Sequence, residues 1–159
     1  MTKVRDAASL PAALEKALAE DDKILVEEFI GGREIEVAVM ESGGIAVPSE
    51  PGEIDPGFEF YDYETKYVSD TASYYIPARL ERDTAEKVKA FAVKIFEALG
   101  CRTLSRVDFF VTDGGDVVFN EINTIPGFTP ISMYPKLFIN SGMTYTEVIT
   151  ALVESALNK

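Results

Sequence analysis

The run Leu104-Ser105-Arg106-Val107-Asp108-Phe109-Phe110-Val111 is followed by Asp113-Gly114-Gly115-Asp116, and then by Val117-Val118-Phe119-Asn120-Glu121-Ile122-Asn123. Alternating polar and apolar positions on either side of a two-glycine turn predict an antiparallel hairpin. Side chains two apart share a face of a strand, so Arg106 and Asp108 lie together, as do Glu121 and Asn123. Pairing the strands through the turn brings Asp108 near Glu121. Two carboxylates and an amide oxygen beside an arginine suit one or two magnesium ions holding a polyphosphate. Taken singly, acids at strand ends also read as solvated surface. The next residues, Asn120 to Pro130, are dense in Asn, Thr, Pro and Gly, which makes a shaped loop whose amides can meet an anion.

Helices are expected on both sides of this hairpin. Upstream, the pattern over Thr84 to Leu99 gives an apolar face of Val88, Phe91, Ala92, Ile95 and Leu99, with an Asp83/Glu86 capping box and Gly100 as the stop. Downstream, Thr144 with Glu147 opens a final helix whose inward residues are Val148, Ile149, Leu152, Val153 and Ala156. Near the start, Ser9 and Pro11 begin a helix that runs to Glu20. Ile24 to Ile30 and Glu34 to Met40 flank Gly31-Gly32 and read as another hairpin, followed by a short strand at Ile45 to Val47. Residues 48–72 hold the breakers Pro48, Pro51, Gly52, Pro56 and Gly57, with Phe58, Phe60, Tyr61, Tyr63 and Tyr67 among acids. They form either a binding loop or a surface loop packed on its own aromatics.

The composition narrows the chemistry. The 159 residues contain no histidine and one cysteine, Cys101. Imidazole bases, Ser/His and Cys/His pairs, His-ligated zinc and intrachain disulfides are thereby excluded. Catalysis is left to carboxylates, Arg, Lys, Tyr, Ser and backbone amides, with a hard, oxygen-ligated cation. The net charge of -12 argues against nucleic acid and anionic membrane as partners. The acidic surplus sits mainly in residues 15–64, whereas 65–159 is close to balanced and could accept a phosphate-bearing small molecule. The 47% apolar content supports a buried core, and no run is long enough to span a bilayer, so a soluble, cytoplasmic protein is expected.

Three segments, in this order, resemble the D-alanine–D-alanine ligases of the ATP-grasp superfamily. They are Arg106-Val107-Asp108-Phe109-Phe110, the string from Asn120-Glu121-Ile122-Asn123 through Pro126-Gly127-Phe128-Thr129, and Ser132-Met133-Tyr134-Pro135-Lys136-Leu137. Upstream, Val26 to Ile30, Gly32 to Glu36 and Phe60 to Tyr67 agree, so the resemblance covers almost the whole chain. It implies an α+β fold: the C-terminal region of an ATP-grasp enzyme, an antiparallel sheet flanked by helices, truncated at the N-terminus. Residues 1–47 would be a remnant of the central subdomain, with helix, hairpin and adenine hinge. Residues 48–159 would be the C-terminal subdomain, with a mobile loop at 48–72.

The resemblance also assigns roles. Glu27, Glu28, Phe29 and Ile30 would read adenine, and Glu34 would hold the ribose. Asp108, Glu121 and Asn123 would bind two Mg2+ ions (or Mn2+) between the phosphates of ATP. Arg106 and the Gly127 amide would face the oxyanion of a tetrahedral intermediate, and Ser132 with Met133 would hold the second D-alanine. Lys66 and Tyr67 would belong to the closing loop, with Tyr67 favouring a peptide over an ester product. The implied reaction activates one D-alanine as an acyl phosphate, which the amine of the second then attacks.

The family's N-terminal domain, its ATP-contacting central lysines and its glycine- and serine-rich loop have no counterpart in this sequence. Lys3 reads as a solvated terminal lysine. The missing domains are therefore expected partners of a homodimeric parent enzyme, and the chain alone is expected to be inactive. A non-catalytic fragment that binds Mg-nucleotide, or part of another ATP-grasp carboxylate–amine ligase, remain the alternatives.

Overall fold

The computed structural model describes residues 1–55 and 73–157. These fall into two compact units, one built on Met1–Phe29 and the other on Ile30–Asp55 with the chain from Tyr74 onward. In the first unit, the Ser9 amide donates to the Asp6 carboxylate at 2.8 Å and the Ser9 hydroxyl donates to the Asp6 carbonyl at 3.0 Å. That turn leads into α1 (Leu10–Leu18), with Pro11 in its first turn, where the missing N–H costs nothing. Ser9 is occupied by the turn and does not cap the helix with its side chain.

The remaining described chain forms β1 (Arg33–Ser42), β2 (Ile45–Pro48), β3 (Gly52–Asp55), β4 (Ser73–Tyr75), α2 (Arg82–Ala98), β5 (Leu104–Val111), β6 (Val117–Asn123), α3 (Met133–Asn140) and α4 (Tyr145–Leu157). The strands make one sheet in the order β4-β3-β1-β5-β6, with β2 also on β1. The described pairings of β1, β5 and β6 are antiparallel, as expected.

The hairpin expected over Ile24 to Met40 does not form, and Ile24 to Ile30 carries no strand. Its intended partner, β1, has both edges taken. β5 lies along Arg33 to Met40 on one side. On the other, β3 pairs at Glu34 to Glu36 and β2 at Val39 to Ser42. β3 also forms where the breakers Pro51 and Gly52 argued against regular structure. Gly52 allows it, because a Cβ there would lie 2.6 Å from both Leu137 Cδ2 and Met133 Cε. The absent side chain is what lets β3 approach α3.

The sheet's two faces do different jobs. Ile35, Val37 and Val39 of β1 and Val107, Phe109 and Val111 of β5 pack under Val88, Ala92 and Phe96 of α2. Val88 and Ala92 face inward as expected and Ile95 packs beside them, but Phe96 completes the stripe while Phe91 and Leu99 turn outward. The Asp83/Glu86 box is likewise not made, since the helix begins earlier, at Arg82, and Glu86 instead pairs with Lys89 at 2.7 Å. The stop at Gly100 forms as expected. Gly100 adopts φ +65°, its N–H reaches the Glu97 carbonyl, and the Cys101 N–H reaches that of Phe96, a Schellman closure.

On the opposite face, Ala38 and Met40 are covered by Met133, Tyr134, Leu137 and Phe138 of α3 and Val148 of α4. The box at the start of α4 is complete: the Thr144 N–H donates to Glu147 at 2.7 Å and the Glu147 N–H donates to Thr144 Oγ1 at 3.2 Å. Val148 faces inward, whereas Ile149 and Val153 are turned out, contrary to expectation. Five apolar positions in sequence made the inward stripe ambiguous. The same face of β1 and β5 continues past Ala38 into Glu36, Glu34, Arg106 and Asp108, where apolar cover gives way to charge.

Candidate functional site

β5 and β6 pair as the sequence suggested, with Arg106 opposite Asn123 and Asp108 opposite Glu121. One irregularity makes this possible. Phe109 faces Phe119, but the next pair is Asp108 with Glu121, so Asn120 is an extra residue in β6. In an unbroken strand Phe119 and Glu121 would share a face. The bulge separates them. Phe119 stays with Phe109, ring centroids 6.2 Å apart, and Glu121 and Asn123 join Asp108 and Arg106 on the other face.

Arg106 is the hub of that face. Its Nε donates to Asp108 Oδ1 at 2.8 Å, its Nη2 donates to Asp108 Oδ2 at 2.7 Å, and Nε also lies 3.2 Å from Glu36 Oε1. Burial works against its charge, but the bonds to Asp108 and the charges of Glu36, Asp108 and Glu121 prevail and hold the guanidinium firmly protonated. Asp108 and Glu36 are both buried. Glu36 was not among the expected site residues. The available signal was its parity with Glu34, two residues before it on β1.

Beyond β6, the chain makes the shaped loop read from its composition. The Ile125 N–H donates to Asn123 Oδ1 at 3.1 Å. Ser132 Oγ accepts the Thr129 N–H at 3.0 Å and lies 2.8 Å from Thr129 Oγ1, while the Ser132 N–H donates to the Thr129 carbonyl at 2.9 Å. Ser132 precedes α3 without capping it through its side chain. Gly127 packs against the same hydroxyl, since a Cβ there would stand 2.8 Å from Ser132 Oγ. The Met133 side chain is buried in the core, which leaves its main chain as the group available for binding.

Arg106, Asp108, Glu121 and Asn123 are thus brought together, and Gly127 and Ser132 meet in the following loop. Glu34 is half-buried on β1, opposite Phe110. Glu27, Glu28 and Phe29 lie in the first unit, in a segment without regular structure, with Leu25 80%, Val26 72% and Phe29 58% exposed. Ile30 opens the second unit, half-buried. Lys66 and Tyr67, like most of the expected 48–72 loop, lie outside the described residues.

Among the described residues no three acidic, His or Cys side chains are already gathered as a metal cage. The candidate set is instead two carboxylates and an amide, all oxygen donors on one face. That fits a hard divalent cation which keeps part of its water shell. No helix among the described residues is long and apolar enough to cross a membrane.

Solved structures with a similar arrangement of sheet and helices include two ligases. A D-alanine–D-alanine ligase from Coxiella burnetii matches at TM-score 0.86 and 35% identity, over 99% of this chain and 41% of that one. A D-Ala:D-Ser ligase from Enterococcus faecalis matches at TM-score 0.86 and 38% identity, over 96% of this chain and 44% of that one. The fold is therefore the C-terminal ATP-grasp domain of such ligases. The model of the D-ala D-ala ligase C-terminus family matches residues 1–154, and the chain belongs to that family. D-alanine–D-alanine ligases of Chlorobium limicola and Chlorobaculum tepidum are each 51% identical over all of this chain. The chain spans 44% of the length of those relatives.

Proposed function

We propose that this chain supplies the ATP- and metal-binding part of a D-alanine–D-alanine ligase that makes a peptidoglycan precursor. The observation that carries this reading is the bulge at Asn120, which turns Glu121 and Asn123 onto the face of Asp108 and Arg106. Asp108, Glu121 and Asn123 would hold magnesium, or manganese in its place. The ion would supply charge neutralisation for the phosphates of ATP during phosphoryl transfer.

The chain's own groups divide the remaining work. Glu27 to Ile30 offer main-chain groups and an exposed aromatic to adenine, and the Glu34 carboxylate accepts from the ribose hydroxyls. The carboxylate of the first D-alanine attacks the γ-phosphate, giving an acyl phosphate and ADP. The amine of the second D-alanine attacks that carbonyl, phosphate leaves, and the amine's surplus proton passes to solvent or to the departing phosphate. Arg106, kept protonated by its neighbours, and the Gly127 N–H stabilise the oxyanion formed in between. Ser132 and the main chain of Met133 bind the carboxylate of the second D-alanine. Lys66 would contribute to nucleotide binding, and Tyr67 would favour peptide formation. The missing N-terminal and central domains, a homodimeric whole enzyme and a cytoplasmic site of action belong to the same proposal. Residues 1–47 and 48–159 would be its two subdomain portions.

Calorimetric titration of the chain with Mg-nucleotide tests the metal assignment. Binding is expected for the native chain and its loss for Glu121→Ala; equal affinity in the two would refute it. A phosphate-release assay with ATP, Mg2+ and D-alanine tests the division of labour. The 159-residue chain alone is expected to show no D-alanine-dependent release, and turnover by it would overturn that division. The likeness to a D-Ala:D-Ser ligase makes D-serine the informative alternative acceptor in any assay of the longer enzyme.

A further inference from the structure

Two buried carboxylates from neighbouring strands meet one guanidinium. Glu36 on β1 and Asp108 on β5 are direct cross-strand partners, 2% and 3% exposed. Arg106 spans them, with both oxygens of Asp108 engaged by Nε and Nη2 and with Glu36 Oε1 3.2 Å from Nε. A carboxylate shared between a guanidinium and a divalent ion holds the guanidinium less firmly, because the two cations compete for the same lone pairs. As a metal ligand, Asp108 would therefore fix Arg106 less firmly by itself. Glu36 is placed to take over. It lies on the central strand, flanked by β3 and β5, and its carboxylate approaches the guanidinium from the side away from β6.

We propose that Glu36 is a positioning residue, which retains Arg106 at the reaction centre when Asp108 turns to the metal ion. The inference rests on the assignment of Asp108 as a metal ligand.

The test follows the Arg106 Nε–H signal by NMR in the 15N-labelled chain, with Asp108→Asn standing for a carboxylate whose charge has been drawn away. In Asp108→Asn the Nε–H is expected to stay protected from solvent exchange. Adding Glu36→Gln should accelerate that exchange about tenfold or more, the worth of one charge-assisted hydrogen bond. Under saturating Mg2+, the native chain should keep the protected signal and Glu36→Gln should lose it. Glu36→Asp, which keeps the charge, should restore part of the protection. Loss of protection in Asp108→Asn alone would overturn the inference, as would a double variant that exchanges no faster than the single one. Should Glu36→Gln not fold, Glu36→Met, of similar length and without polar atoms that need hydrogen bonds, is read by the same signal. Failure of the metal assignment shows separately, as Mn2+ that does not broaden the Asp108 and Glu121 amides. The Asp108→Asn comparison needs no ion and still decides the role of Glu36.

Discussion

Replacing Gly127 by alanine places a methyl group 2.8 Å from Ser132 Oγ and 3.6 Å from Ser132 Cβ. The first distance is too short for a carbon and a hydroxyl oxygen, so the hydroxyl must move. Rotation about the Ser132 Cα–Cβ bond can achieve this, but it breaks the bond from the Thr129 N–H at 3.0 Å and the contact with Thr129 Oγ1 at 2.8 Å. Two neutral hydrogen bonds are together worth about 1–3 kcal/mol. Both lie in an exposed loop where water substitutes in part, so a loss of about 1 kcal/mol is expected. In a chain of this size that lowers the melting temperature by about 2–4 °C. Thermal unfolding measures the loss, and a double-mutant cycle assigns it. Ser132→Ala removes the oxygen that the new methyl would strike, so Gly127→Ala should cost little in that background. An equal cost with and without the Ser132 hydroxyl would refute the account.

Glu53 is the next test. Burial pushes its carboxyl up, but hydrogen bonds from the Arg79 side chain and main chain, together with the Arg79 and Arg33 charges, outweigh burial and hold it below the ordinary value of 4.5. Its contribution is therefore complete above that value and fades as pH falls through the lower native one. Glu53→Gln should destabilise the chain at neutral pH by about 2 kcal/mol in urea titrations, with the gap closing in acid; a gap constant with pH would refute this. Ser105 is fully buried and its hydroxyl has no hydrogen-bond partner among the described residues. Ser105→Ala should leave stability unchanged or raise it by up to about 1 kcal/mol, and a clear drop in the unfolding midpoint would show that the hydroxyl does have a partner.

The hairpin that carries the candidate metal ligands was readable because its determinants are local. Two alternating runs and a two-glycine turn fix which residues face each other, and Asp108 does stand opposite Glu121. The hairpin expected over Ile24 to Met40 carried a similar local signal and failed for a non-local reason. The edges of β1 are claimed by strands that follow later in the chain. The same non-local pairing hid Glu36. In a two-stranded hairpin its position is the wet face, whereas in the centre of a sheet it is buried against Arg106. Helix faces were legible only to within one residue, as Phe91 and Phe96 of α2 show. Both are apolar, and only packing against the sheet decides which turns inward.

The extra residue at Asn120 works as a change of reading frame within β6. Before it, the odd-numbered Val117 packs on the hydrophobic interior; after it, odd-numbered positions such as Glu121 and Asn123 lie on the polar face. Selection on packing at Val117 and selection on chemistry at Glu121 and Asn123 thus act on opposite sides of the bulge in a seven-residue strand. Variation at Val117 can repack the interior without turning Glu121 and Asn123 away from their face. Variation at Glu121 and Asn123 can alter the candidate ion site without disturbing the Phe109–Phe119 contact.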